Sequence, residues 1–264
     1  MTTDLPDGAP DVIVPDRSND RRRMPSWAAS VLLGLLAAGV LGLMTWQIAI
    51  EGPFKAWDWS VHVYLDARQP TGWPRSILNA LASLGGQRLY TLPIIVGVGA
   101  WVAYEQRRIR PLIAIGAGLA TVFVIGYWIK FGLSRTPPAS GEDVLYGVGQ
   151  AFPSGHTANA TLTWFLLVVV LFGAQGRKPD PVRFRRWIKP AALGVFVSGA
   201  LMTALDYHWL SDIPGGWALG ALALMVSVTV LRLPPIPWPR RSPRAEAADG
   251  QAKEHRRRSD LSEA

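Results

Sequence analysis

The residues able to do chemistry in this chain gather around two histidines and an aspartate. His156 stands in Ala151-Phe152-Pro153-Ser154-Gly155-His156-Thr157, a Pro/Ser/Gly turn that runs into the apolar stretch from Thr161 to Phe172. Serine is a strong helix N-cap, and the N–H groups left open at a helix start attract an anion. A histidine in that first turn sets a proton donor beside the anion. Farther on, His208-Trp209-Leu210-Ser211-Asp212 places a histidine and an aspartate four apart. On a helix the two share a face, and the carboxylate can orient the imidazole. Upstream, Lys130 and Arg135 close another apolar run. A serine, two histidines, a carboxylate and two cations at the ends of three apolar segments describe a site for a phosphate group at a membrane surface.

Each group also has a plainer reading. His208 and Asp212 fit a structural pair, and His156 fits an ordinary helix start. Lys130 fits a lysine whose stem lies along apolar surface while its head reaches water. Arg135 fits a loop charge, and Asp206 fits the end of a span. What favours chemistry is that all these plain readings would have to hold together, at span ends, on one face. Two histidines and an aspartate could also bind zinc. No second histidine completes a metalloprotease-type helix pattern, however, and Lys130 and Arg135 would repel a cation, so no metal or cofactor is expected.

The elements that must position these groups are apolar helices. The chain has 264 residues, a formal net charge of +8, twelve Trp and no cysteine, and 49% of it is hydrophobic. The missing cysteines exclude disulfides, thiol nucleophiles and thiolate metal sites. The positive charge lies between and beyond the apolar runs, which is the pattern of membrane orientation and not of nucleic-acid binding. Several runs approach the length that crosses a bilayer. The expectation is an all-α, polytopic membrane protein with six transmembrane helices, near residues 27–50, 89–104, 111–131, 154–172, 190–205 and 212–231. Residues 51–90, with Trp57, Trp59 and Trp73, read as amphipathic helices lying at the interface. His62 within them reads as a satisfied or exposed surface histidine. A basic flank before the first run could mark a signal peptide, but the run is long and no small-residue cleavage site stands out, so it reads as a retained helix.

Three regions follow: a disordered cytoplasmic tail at 1–25, the six-span domain at 26–232, and a second disordered cytoplasmic tail at 233–264. Six spans put both termini on one side of the cell membrane. The basic stretches 105–110 and 173–189 then fall on the cytoplasmic side. Loops 132–153 and 206–211 fall on the outer face, and with them His156, His208, Asp212, Lys130 and Arg135.

These residues resemble the type 2 phosphatidic acid phosphatase superfamily, the membrane lipid-phosphate phosphatases. The family signatures read Lys-x6-Arg-Pro, Pro-Ser-Gly-His and Ser-Arg-x5-His-x3-Asp. The second is complete as Pro153-Ser154-Gly155-His156, the third keeps His208 and Asp212, and the first keeps Lys130 and Pro138. The stretch from Trp57 to Arg88, with Asp58 and Leu84-Gly85-Gly86, also looks like the region after the first span in bacterial members. Two family arginines are absent. Pro137 stands where the first signature expects one, and Leu201-Met202 stands in place of the third signature's Ser-Arg.

The resemblance implies a nucleophile at His208, an orienting carboxylate at Asp212 and a general acid and base at His156. Lys130, Arg135, Ser154 and the N–H groups near Gly155 would hold the phosphoryl oxygens, with Arg135 standing in for a missing arginine. The implied activity is that of a lipid-phosphate or polyprenyl-pyrophosphate phosphatase, acting on the outer face through a phosphohistidine. A headgroup phosphotransferase with the same site, and a catalytically weakened relative that binds a phospholipid, remain as alternatives.

Overall fold

The computed structural model describes residues 26–233. The tails expected at 1–25 and 233–264 lie outside these residues, apart from Leu233. Every regular element described is helical, as expected: α1 (Ser26–Ala49), α2 (Phe54–Asp66), α3 (Gly72–Gly86), α4 (Arg88–Gln106), α5 (Arg110–Leu133), α6 (Gly155–Phe172), α7 (Pro181–Ala204) and α8 (Asp212–Arg232), with a single 3-10 turn at Pro138–Ser140. Five of them, α1, α5, α6, α7 and α8, are long and apolar enough to cross a membrane. The 19-residue α4 is not among those five and carries Pro93 in its interior. It nevertheless packs on α5 and α6 and buries Ile95 and Val102 in the shared core.

The core forms where α8 packs against α1, α5 and α6, and α6 against α7. Ala158, Leu162 and Leu166 of α6 meet Ala218, Leu219 and Ala223 of α8 there. Small residues permit that approach: a Cβ on Gly220 would lie 2.6 Å from the Ala158 carbonyl oxygen. Close helix contact through small residues is how helices associate where lipid offers no hydrophobic drive. The outward face of α1 carries Leu32, Leu33, Leu35 and Leu36 exposed, a surface suited to lipid tails and not to water.

The helices expected after the first span are present as α2 and α3, and their Trp57, Trp59 and Trp73 are exposed. The boundaries of α7 differ from expectation. The sequence reading starts that span at Pro190 and makes 173–189 a basic loop, whereas the helix starts at Pro181. Asp180 caps it, accepting the N–H groups of Val182 and Arg183 at 2.9 Å each. An aspartate N-cap followed by proline at the first helical position is a helix-start signal. Arg183, Arg185, Arg186 and Lys189 therefore ride on the first turns of α7, and Pro190 is held inside it.

Candidate active site

One end of the bundle collects α2, α3, the start of α4, the 134–154 loop, the start of α6 and the 205–211 loop. Ser154 caps α6 by accepting the Thr157 N–H at 3.4 Å, which sets His156 in the first turn. The Ser154 N–H donates to the Asp212 carbonyl at 3.0 Å, tying the Pro-Ser-Gly-His turn to the start of α8. The His156 and His208 ring centroids lie 6.5 Å apart in an edge-on arrangement, and both side chains are half-buried.

His208 does not sit on a helix with Asp212, as its spacing suggested; it stands in the turn before α8. The pairing survives because that turn folds back on Asp212. Asp212 Oδ2 accepts the Trp209 N–H at 3.0 Å and faces His208 Nδ1 at 3.2 Å. The His208 backbone N–H donates to the Met202 carbonyl at 3.2 Å. A carboxylate only accepts, so Nδ1 carries the hydrogen and Nε2 is left with its lone pair.

Arg135 lies elsewhere than the sequence reading put it. Its side chain is fully buried, and all five N–H donors are taken. Nε and Nη2 reach the two oxygens of Asp143 at 2.8 and 2.7 Å. The second Nη2 hydrogen goes to Asp58 at 2.6 Å, and Nη1 serves Ser211 and Asp212 at 2.9 Å each. The Ser211 hydroxyl in turn donates to Asp58 at 2.5 Å. Three carboxylates thus converge on one guanidinium, and none of its donors remains for a phosphate. Burial raises the Asp58 pKa above its usual value, against the opposing pull of Arg135 and Ser211. The Ser154 side chain is also fully buried, beneath the turn as its cap. The family resemblance implies phosphate contact for both Arg135 and Ser154.

The cations that do flank the turn are Lys130 and Arg88. A Cβ built on Gly155 would lie 4.0 Å from Lys130 Cε and 3.9 Å from Arg88 Nη2. Lys130 Nζ donates to the Gln150 carbonyl. Arg88 opens α4, and a close backbone approach brings it in: a Cβ on Gly86 would lie 2.1 Å from the His156 carbonyl oxygen. Trp164 Nε1 secures the same corner by donating to the Gly85 carbonyl at 2.8 Å. In the sequence Arg88 is only the end of a family-like stretch. Its signal was the Gly-Gly pair before it, which marks a close backbone contact.

Two further residues fall into place. His62 Nδ1 meets Asp206 Oδ1 at 2.8 Å, the satisfied histidine expected. Met202, where the family expects an arginine, is buried with Ala82, Leu205 and Ile213.

The described residues form an all-helical membrane fold that presents paired histidines at one end. Residues 111–233 match the model of the PAP2 superfamily. Among solved structures, the chain is similar to that of the first transmembrane PAP2 type phosphatidylglycerolphosphate phosphatase from Bacillus subtilis. The TM-score is 0.54 at 20% identity, over 78% of this chain and 95% of that one. The likeness is one of fold. No curated protein matches the sequence significantly.

Proposed function

We propose that the chain is an integral-membrane phosphatase of lipid phosphates or polyprenyl pyrophosphates that works on the outer face of the membrane through a phosphohistidine. The observation that carries this reading is the convergence of His156 with the His208–Asp212 pair, rings 6.5 Å apart, beside two cations. It agrees with the superfamily match and with the activity named for the similar solved structure.

In this mechanism His208 Nε2 attacks phosphorus while Asp212 keeps Nδ1 protonated and the ring in place. The bond from phosphorus to the leaving oxygen breaks, and protonated His156 gives that oxygen its proton. Neutral His156 then takes a proton from water as the water attacks phosphorus. The P–N bond breaks, inorganic phosphate leaves and His208 regains its lone pair. Charge on the equatorial oxygens is met by Lys130, the Gly155 and His156 N–H groups and the positive end of α6.

The test is phosphate release by the purified chain from a panel of phosphatidic acid, phosphatidylglycerolphosphate and polyprenyl pyrophosphate, with a lipid alcohol acceptor added in parallel. Release of inorganic phosphate supports the phosphatase. Transfer to the acceptor identifies a phosphotransferase instead, and no turnover of any lipid rejects both.

A further inference from the structure

We infer that Arg88, which lies outside the matched family segment, is the arginine that binds the substrate's phosphoryl oxygens in this protein. The inference rests on the reading of the histidine site as a phosphate site.

The argument is one of charge and access. Three cations stand near the two histidines. Arg135 is spent on Asp58, Asp143 and Asp212. Neither Lys130 nor Arg88 forms an ion pair with a carboxylate among the described residues. Arg88 is half-buried, and its polar contact is a long one, Nη1 to the Tyr127 hydroxyl at 3.5 Å. Its guanidinium lies 5.5 Å from the Tyr127 ring centroid and 5.9 Å from that of Phe123. These rings favour the cation's face while leaving its edge donors open. A half-buried guanidinium without a counter-ion is costly unless something anionic meets it.

Position supports the same reading. Arg88 Nη2 and Lys130 Cε lie 3.9 and 4.0 Å from where a Cβ on Gly155 would stand. No acceptor bonds the Gly155 or His156 N–H among the described residues. A phosphoryl group facing His208 would therefore meet the turn's N–H donors with a cation to either side. Pro137 and Met202 leave this chain without the two arginines its family uses, and α4 delivers a guanidinium to that turn by another route. The planar fork of Arg88 can span two oxygens of one phosphoryl group, which a lysine cannot.

The test measures anion binding apart from turnover. Orthovanadate binding to the purified full chain in detergent is followed by calorimetry for wild type, Arg88→Ala, Arg88→Gln and Arg68→Ala. Arg68 is exposed and stacks on Tyr64, so its loss controls for general charge. Arg88→Gln keeps the side chain's length against Tyr127 and Phe123, and it decides the matter if Arg88→Ala does not fold. The expected result is a loss of vanadate affinity of about tenfold or more in both Arg88 variants, the scale of a charged hydrogen bond, with Arg68→Ala like wild type. Competition by inorganic phosphate and by phosphatidic acid in mixed micelles separates free phosphate from a lipid headgroup; either should displace vanadate from wild type more readily than from Arg88→Gln. Affinity within twofold of wild type in the Arg88 variants, or no vanadate binding by wild type, overturns the inference. Arg88-dependent vanadate binding in a wild type that hydrolyses no lipid phosphate upholds Arg88 and rejects the phosphatase instead.

Discussion

Arg135 and His208 share one carboxylate: Asp212 accepts Arg135 Nη1 on Oδ1 at 2.9 Å and faces His208 Nδ1 with Oδ2 at 3.2 Å. Arg135 therefore bears on the nucleophile proposed at His208 through Asp212, not through phosphate. Its ties to Asp58 on α2 and Asp143 in the 134–154 loop make it the joint between three parts of the chain.

Arg135→Ala should strand three carboxylates around a buried vacancy. Breaking a buried ion pair costs about 3–5 kcal/mol, so thermal unfolding in detergent should shift sharply downward. In whatever protein folds, kcat should fall by about a hundredfold from a misplaced imidazole, with KM and vanadate affinity little changed. Arg135→Lys should recover little, because three donors replace five. A stable Arg135→Ala protein with weakened vanadate binding and normal kcat would return Arg135 to the phosphate.

His208→Ala should abolish turnover and leave no phosphoenzyme after an acid quench with labelled substrate. His156→Ala should slow formation and breakdown of that intermediate by about 10²–10⁴-fold. Asp212→Asn should cost less than His208→Ala, since the nucleophile stays. A fully active His208→Ala protein excludes the covalent route.

Gly86→Ala should disturb the site without touching a charged group. Its Cβ would need the space of the His156 carbonyl, 2.1 Å away. Overpacking of this kind costs about 1–3 kcal/mol, and relief requires α3 and the start of α4 to move, carrying Arg88 off. The melting temperature and KM should both worsen; an unaltered KM would show that the corner does not set the site.

Met202→Arg should not restore the family's missing arginine. Position 202 is buried among Ala82, Leu205 and Ile213, so the new charge would be enclosed in apolar surroundings. Lower thermal stability and no gain in turnover are expected. A more active variant would show that the side chain reaches the histidines.

Cysteine labelling tests which face the site occupies. Ser140 and Gln175 are both exposed, and the chain has no native cysteine. An impermeant reagent outside the cell should label Ser140→Cys and spare Gln175→Cys. The reverse pattern would place the histidines on the inner side.

Much of this protein was legible in its residues taken in order. Apolar length announced an all-helical membrane fold, because a chain in lipid must satisfy its backbone hydrogen bonds within its own helices. Pro153-Ser154-Gly155-His156 announced a capped helix with a histidine in its first turn, since capping is a contact between near neighbours. His208 and Asp212 announced their pairing through spacing, although a turn and not a helix face achieves it. The start of α7 was also written locally, in Asp180-Pro181, but Pro190 and the basic residues masked it.

Only the folded structure decided which arginine serves which partner. Arg135 lies five residues from Lys130 in the chain, yet it is taken by carboxylates from α2, the 134–154 loop and the start of α8. Arg88 is remote from every site residue in sequence, yet it arrives beside Gly155 because Gly86 lets two backbones touch. Charges pair by distance in space, and a chain that folds through a bundle of helices brings together groups whose separation along the sequence carries no record of it.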